Sequence, residues 1–470
     1  MMLSAARLTA CGGIKGVALP VPFVSRCLLY AAVAIAVARA PVAIAALDSD
    51  AFAARAMLVS HAVSPVFGPE TAAAGSRSGG LGWLGALVAT ALAATPLTIH
   101  LVTVAMLLAT LALVEVRARS RSNATSATAA AAVAALCGCD AAYVGAPLEA
   151  PLFTAAWLVL LDRPTVLRAV LATALTLLWC NTSASGLLGA AFALAAALGA
   201  LLDRRPPDER RALWLAASGA CLATLATPAG LAYPVLAFHA LRIAGALEGL
   251  ASTAPSEIAP VAYHVGFFLV LVLGLVIGLR ALRLGGALPA LIALALALAN
   301  GANLPLFGAV VAPLLAAGAV RLRTTVPSSV ALALTCVAAL AINAAATDAY
   351  ADARAAQRDG ALLARRAAGL PGVRRIFCAP VDWCASAVAS GGSVLIDDRV
   401  DRAPSRVRAT QLALAQARPT WRRVVRQYGI DAIVVNGDSA LASLLRLNRN
   451  WRGIAARGNA VLVARRSVHA

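Results

Sequence analysis

The stretch "LGWLGALVATALAA", residues 81–94, decides how the rest of this chain is threaded. It is apolar but only 14 residues long, and it stops at Thr95-Pro96. A helix needs roughly 20 apolar residues to cross a bilayer, so this length suits an interfacial or re-entrant helix better than a crossing. Trp83 suits the headgroup layer. If the run did cross, every later loop would change sides, so the charges of those loops test the reading.

Of 470 residues, 61% are hydrophobic and only 13% charged, a membrane composition. Apolar runs recur to about residue 347, at 22–44, 97–116, 124–141, 151–161, 166–180, 186–202, 212–227, 264–280, 287–300, 304–320 and 327–347. That predicts a mainly α protein, a polytopic helical bundle of about eleven spans. With the N-terminus inside, the cytoplasmic segments hold 16 basic residues: Arg7, Lys15 and Arg26, the groups at 117–121, 163–168 and 204–211, and the pairs at 280–283 and 321–323. The opposite loops hold four, Arg39, Arg55, Arg77 and Arg242. This bias fixes the orientation and keeps 81–94 from being counted as a span. It turns the loop 45–96 outward, together with everything after residue 347. The opening "MMLSAARLTACGGIKG" reads as the flank of a retained anchor rather than a cleaved signal.

The net charge of +19 does not point to nucleic acid. Basic residues in such a chain mainly record which loops face the cytoplasm. Long domains translocate regardless of charge, so the 20 arginines after residue 347 do not oppose an outer tail.

The chain divides into a membrane domain, 1–347, and a soluble domain, 348–470. Residues 349–370 read as a helix. "VRRIFCAP", "GSVLIDDR", "IDAIVVNG" and "NAVLVARR" read as short strands, and the segments between them have helical spacing. That predicts a small extracytoplasmic α/β layer, whose plain reading is a structural cap. Cys378 and Cys384, in "CAPVDWC", can pair as a disulfide on an oxidising face. The other seven cysteines lie in or near spans and read as small packing residues.

Ionisable groups near a membrane are costly to keep, so each of the few on the outward loops is a candidate for function. Asp48 and Asp50 stand at the outer end of the first span; Glu70 and His61 share their loop, and Asp140 and Glu149 lie in the next, "CGCDAAYVGAPLEAP". His239, Arg242, Glu248, Glu257 and His264 lie in or beside the loop 228–263. Transfer of a sugar from a lipid phosphate needs a carboxylate to take the acceptor's proton. It also needs Arg or a divalent cation to stabilise the departing phosphate. The first loop offers the Asp pair with Arg55 and Arg77. The bland reading is that the two aspartates only end a helix in water.

The whole pattern resembles GT-C class glycosyltransferases, and more closely a group of uncharacterised bacterial GT-C-like integral membrane proteins, along nearly its full length. "DSDAF" resembles an Asp-Pro-Asp-x-aromatic motif, "GWLGAL" a Glu-Trp-Leu helix, and "APLFT" an Arg-Pro-x-x-Phe start of a span. "LLWCNTSASGLLG" resembles a Trp-x-Asn-x-His-Gly turn, "LATPAGL" Asn-Pro-x-Gly-Leu, and "ANLPLF" Arg-Asn-x-Pro-Leu-Phe. "FCAPVDWC", "LIDDRVD" and "QYGIDAIVV" resemble the group's terminal domain, including Asp397, Arg399, Asp401, Tyr428, Gly429 and Asp431. Where the group shows His, Glu, Arg, His and Arg, this chain has Ala54, Gly82, Ala150, Ser183 and Ala302. Asp48, Asp50, Phe52, Trp83, Asn181 and Asn303 remain.

The resemblance implies a transferase in the bacterial inner membrane that uses a polyprenyl-phosphate-linked sugar, with Asp48 or Asp50 as base. Phe52, Arg55, Arg77, Trp83, Asp140, Glu149, Asn181 and Asn303 would then contact substrate. No cofactor is certain, and a divalent cation is the open alternative to arginine. The lost polar positions keep a second reading open, a non-catalytic member that binds a lipid-linked glycan or a partner. A transporter ranks last, because the spans carry few polar groups at mid-depth and no inverted repeat is evident.

Overall fold

The computed structural model describes residues 21–39, 96–143, 149–244, 284–299, 303–321, 327–345, 349–396 and 405–467, with isolated positions at 84 and between 268 and 276. The fold is mainly helical with one small sheet. The first part contains α1 (Val21–Arg39), α2 (Pro96–Arg119), α3 (Ala124–Tyr143), α4 (Glu149–Leu161), α5 (Val166–Thr182) and α6 (Leu187–Leu202). It continues with α7 (Pro207–Leu225), α8 (Tyr233–Ala244), α9 (Leu284–Ala299), α10 (Leu304–Arg321) and α11 (Ser328–Ala345).

The central helix is α3, whose sequence "ATSATAAAAVAALCGCDAAY" is alanine-rich all round. Residues 126–137 are all buried, and α2, α10 and α11 pack on it. A helix without a polar face must be enclosed, and alanine lets its neighbours approach closely. Gly308 of α10 lies so near that a methyl group there would stand 2.7 Å from Cys137 Cβ. Gly189 of α6 and Gly219 of α7 similarly press against Thr176 and Thr173 of α5. Those threonines return their hydroxyls to Ala172 O at 2.8 Å and Ala169 O at 3.0 Å, so the close contacts leave no hydroxyl unpaired.

Many leucines face the other way, although Trp157, Trp179, Phe192 and Phe307 are buried. Leu167, Leu222, Leu298 and Leu340 are 66–70% exposed, while the core is mostly alanine. Among the described residues no single helix is long and apolar enough to cross a membrane, although Pro207–Leu225 and Gly230–Phe238 are so as a pair, bent by 112°. The helix Tyr233–Ala244 falls where the sequence reading has only a loop, 228–263. Thr227-Pro228 breaks the chain there, and Gly230, at φ +52°, redirects it. Cys137 and Cys180 are buried, as packing residues should be, but Cys27 and Cys336 are exposed on the flank of the helices.

In the C-terminal part, α12 (Ala349–Ala368) precedes a sheet of β1 (Arg375–Ala379), β2 (Ser393–Val394), β3 (Ala432–Asn436), β4 (Trp451–Arg457) and β5 (Ala460–Arg465). The spatial order is β2-β1-β3-β5-β4; β1 runs parallel to β2 and β3, and β5 is antiparallel to both β3 and β4. Side chains alternate between two covered faces. Ile376, Cys378, Val434 and Leu462 pack under α12 and α13 (Cys384–Ala389). Phe377, Ile433, Val435 and Val463 pack under α14 (Ser405–Ala415), α15 (Trp421–Gln427) and α16 (Ala440–Leu447). The four strands read from sequence are present. The fifth, β4, was missed because "WRGIAAR" contains Gly453 and carries a register shift between Gly453 and Ala455.

Cys378 and Cys384 are joined in a disulfide, as the sequence allowed. The bond closes a short loop, six residues apart in sequence. Changing both cysteines to serine should therefore lower the stability of this part by about 2 kcal/mol, measured by denaturant unfolding of the full chain.

Candidate functional site

Polar groups of the helical part gather in two places. At the first, α5 stops where Ser183 turns extended, with φ −158° and ψ 152°, and its N–H donates to Trp179 O. A single 3-10 turn, Ala184–Gly186, then leads into α6. Gly186 is required, because a methyl group there would lie 2.5 Å from the Cys180 backbone. Trp179 Nε1 donates to Ser185 Oγ at 2.8 Å, and the hydroxyls of Ser183 and Ser185 share a hydrogen bond of 2.6 Å. Tyr233 Oη, from the start of α8, donates to Ser183 O at 2.9 Å. Asn181 Nδ2 donates to Leu177 O at 2.9 Å and across to Ala226 O at 3.3 Å. Phe153 of α4 stacks on Trp179, with ring centroids 5.5 Å apart.

Glu149 begins α4 beside this turn, just before the apolar stretch 151–161. Burial raises its carboxyl above the usual carboxylate range, and a hydrogen bond with Ser183 partly offsets the rise. A carboxyl with a raised folded value adds stability at low pH and loses it as pH rises through that value. Wild-type stability should therefore fall more between the ordinary carboxylate range and alkaline pH than that of Glu149→Gln. Unfolding midpoints of both proteins across that window check the sign.

These residues come from segments 142–150, 181–185 and 228–263, all of which the charge pattern places on one side. The structure thus brings Glu149 and Asn181 to one turn, with Ser183 and Tyr233 between the helices. Tyr233 and Ser185 were not singled out from sequence; the "LATPAGLAYP" break preceding Tyr233 was the available signal. Asn303 instead bridges the turn between α9 and α10, donating to Leu296 O at 3.1 Å. Asp140, expected in a loop, lies on α3 near its C-terminal end. Asp48, Asp50, Phe52, Arg55, Arg77 and Trp83 lie outside the described residues. Among the described residues, no three His, Cys, Asp or Glu side chains gather as a metal site.

In the C-terminal part, Asp431 Oδ2 accepts from the backbone N–H groups of Arg374 and Arg375 at 3.1 and 3.2 Å. Gly429 adopts φ +58° beside Arg375, whose guanidinium donates to Tyr428 O at 2.8 Å. These motif residues hold the sheet's entry, while Asp397, Arg399 and Asp401 lie outside the described residues.

The second gathering holds the ion pairs. Glu115 accepts from Arg119 at 2.7 Å, Tyr30 Oη at 2.9 Å and Arg26 at 3.0 Å. Asp162 accepts from Arg117 at 3.1 Å and also pairs with Arg121. Every one of these cationic groups belongs to a segment that the charge pattern places on the side opposite Glu149.

Compared with models of known protein families and with curated proteins, the chain matches none. The geometry therefore has to carry any functional reading. It offers a half-buried carboxyl beside a hydroxyl-rich turn whose polar groups are partly or fully buried and hydrogen-bonded to one another.

Proposed function

We propose that this chain is a polytopic protein of the bacterial inner membrane, with its N-terminus cytoplasmic and its C-terminal domain, 348–470, on the outer side. On that face it acts as a GT-C-like transferase of a sugar from a polyprenyl-phosphate donor. Three observations support the membrane placement. Many leucines are exposed while more than half of the buried core is alanine, a surface suited to lipid. The two polar gatherings separate the segments by predicted side. The Cys378–Cys384 disulfide suits an oxidising compartment.

The observation that carries the functional part is the enclosed Glu149 carboxyl at the junction of three outward segments. In this reading a donor-sugar hydroxyl hydrogen-bonds to the Glu149 carboxyl, beside Asn181 and the serine turn. Asp48 or Asp50 takes the acceptor's proton, and Arg55 and Arg77, or a divalent cation, balance the leaving phosphate. The acceptor hydroxyl oxygen bonds to the anomeric carbon as the bond from that carbon to the phosphate oxygen breaks.

The test uses membranes supplied with labelled polyprenyl-phosphate sugar and counts label in the acceptor fraction. Asp50→Asn should lower turnover about 100-fold. Glu149→Gln should raise the donor concentration for half-maximal rate about tenfold while the maximal rate stays close to wild type. Wild-type turnover in both variants would remove the site. A second reading, a non-catalytic member that retains a lipid-linked glycan, is favoured by the serine turn. Ser183 stands where the resemblance has a histidine, and its hydrogen bonds are met within the turn. Bound lipid-linked glycan without transfer would select that reading.

A further inference from the structure

The second polar gathering encloses a cavity of about 50 Å³ between the ends of α2, α4 and α7. A water needs about 10–15 Å³ by this measure, so there is room for a tetrahedral oxyanion. Arg117, Arg121 and Arg205 line it together with a single carboxylate, Asp162. The lining therefore carries an excess of two positive charges.

Neither the arginines nor the neighbouring donors are saturated from within the protein. Trp157 also lines the cavity; it is fully buried, and its indole N–H has no hydrogen-bond partner. The Nε of Arg205 is enclosed and likewise unpartnered, and its Nη1 reaches Glu209 only at 3.4 Å. The Arg117 side chain is 5% exposed. Arg117 lies just beyond the apolar stretch 97–116, and burial, then repulsion from Arg121, lowers it to about 10, which leaves it cationic at neutral pH. Buried donors without partners cost free energy that a multivalent acceptor would recover. The side chains of Arg121 and Arg205 are 25% and 21% exposed, so the cavity has a polar rim open to solvent.

Arg204 adopts φ +51° at the C-terminal turn of α6, a position that favours glycine. Arg205 N then donates to Ala200 O at 3.1 Å, which closes the end of α6 next to the cavity that Arg205 lines.

We propose that this cavity binds a phosphate group, held by Arg117, Arg121, Arg205 and the Trp157 indole N–H. The group comes from a free phosphate ion or from the headgroup of an anionic lipid. On the charge pattern this is the cytoplasmic side, opposite the Glu149 turn. The proposal shares no residue with the transfer reading and stands or falls separately from it.

The test uses the purified full-length chain. In detergent, its unfolding midpoint is followed against inorganic phosphate, with chloride of equal ionic strength as control. In parallel, the chain is placed in nanodiscs with or without phosphatidylglycerol, and native mass spectrometry reads the retained lipid. Phosphate should raise the midpoint in a saturable way, or phosphatidylglycerol should be selectively retained. The first result assigns a soluble oxyanion and the second a headgroup. Arg205→Gln and Trp157→Phe should each weaken the response about tenfold, while Trp214→Phe should not change it. The Trp157→Phe variant keeps the ring volume and so guards against loss of fold. No advantage of phosphate over chloride together with no selective lipid retention would overturn the proposal. An undiminished response in both Arg205→Gln and Trp157→Phe would do the same.

Discussion

Asp162→Ala should cost about 3–5 kcal/mol, because it strands the guanidinium of Arg117 inside the helical part. The Arg117 side chain is 5% exposed and that of Asp162 is 12% exposed, with Nε and Oδ1 3.1 Å apart. Among the described residues Arg117 has one other acceptor within reach, Val310 O at 3.5 Å, which is too long to replace a carboxylate. Asp162 also takes Arg121, so its loss leaves two guanidinium groups without their carboxylate, while the Ser120 hydroxyl keeps Arg117 O at 2.7 Å. Unfolding in mild detergent and phosphate-free buffer measures the effect. Arg117→Met combined with Asp162→Leu removes both charges and should cost far less than the single change. If the single and double variants lost equal stability, the buried charge would not be the cause.

Gly360→Ala should destabilise the C-terminal part by about 3 kcal/mol, at the upper end of ordinary overpacking. In most helix interiors that substitution gains about 0.5–1 kcal/mol, so the sign itself is diagnostic. The reason is a close approach: a methyl group at Gly360 would overlap the ring of Trp383, which is fully buried. Trp383 cannot swing away, because Cys384 beside it is tied to β1 by the disulfide. The helix α12 would have to lift from the sheet, which would expose Leu363 and Ala367. Denaturant unfolding of Gly360→Ala against wild type, read by tryptophan fluorescence, tests this. A more stable variant would mean that α12 is not held against Trp383.

Periodicity revealed most elements because it records burial directly. Alanine and leucine runs broken by Pro, Gly and charged pairs marked the helices, and apolar alternation marked four of five strands. The misses have physical causes. The helix Tyr233–Ala244 lay beyond a Pro break and read as loop, and β4 is a Gly-containing strand with an irregular register. For the candidate site, Glu149 was legible as a polar group beside an apolar run and Asn181 through the resemblance, whereas their meeting at the Ser183 turn was not. Asn303 and Asp140 looked equivalent in sequence, yet the first bridges its own turn and the second lies on α3.

By itself the sequence determined most of the helical segments and a small α/β unit in the C-terminal part. Those properties follow from local composition and from the period of apolar residues. Only the tertiary structure decided which ends touch. It placed Trp157 beside three arginines, set Tyr233 against Ser183, and fitted Gly360 to Trp383. Such contacts depend on residues far apart along the chain, whose proximity is set by how small side chains let helices approach, and no local pattern encodes that.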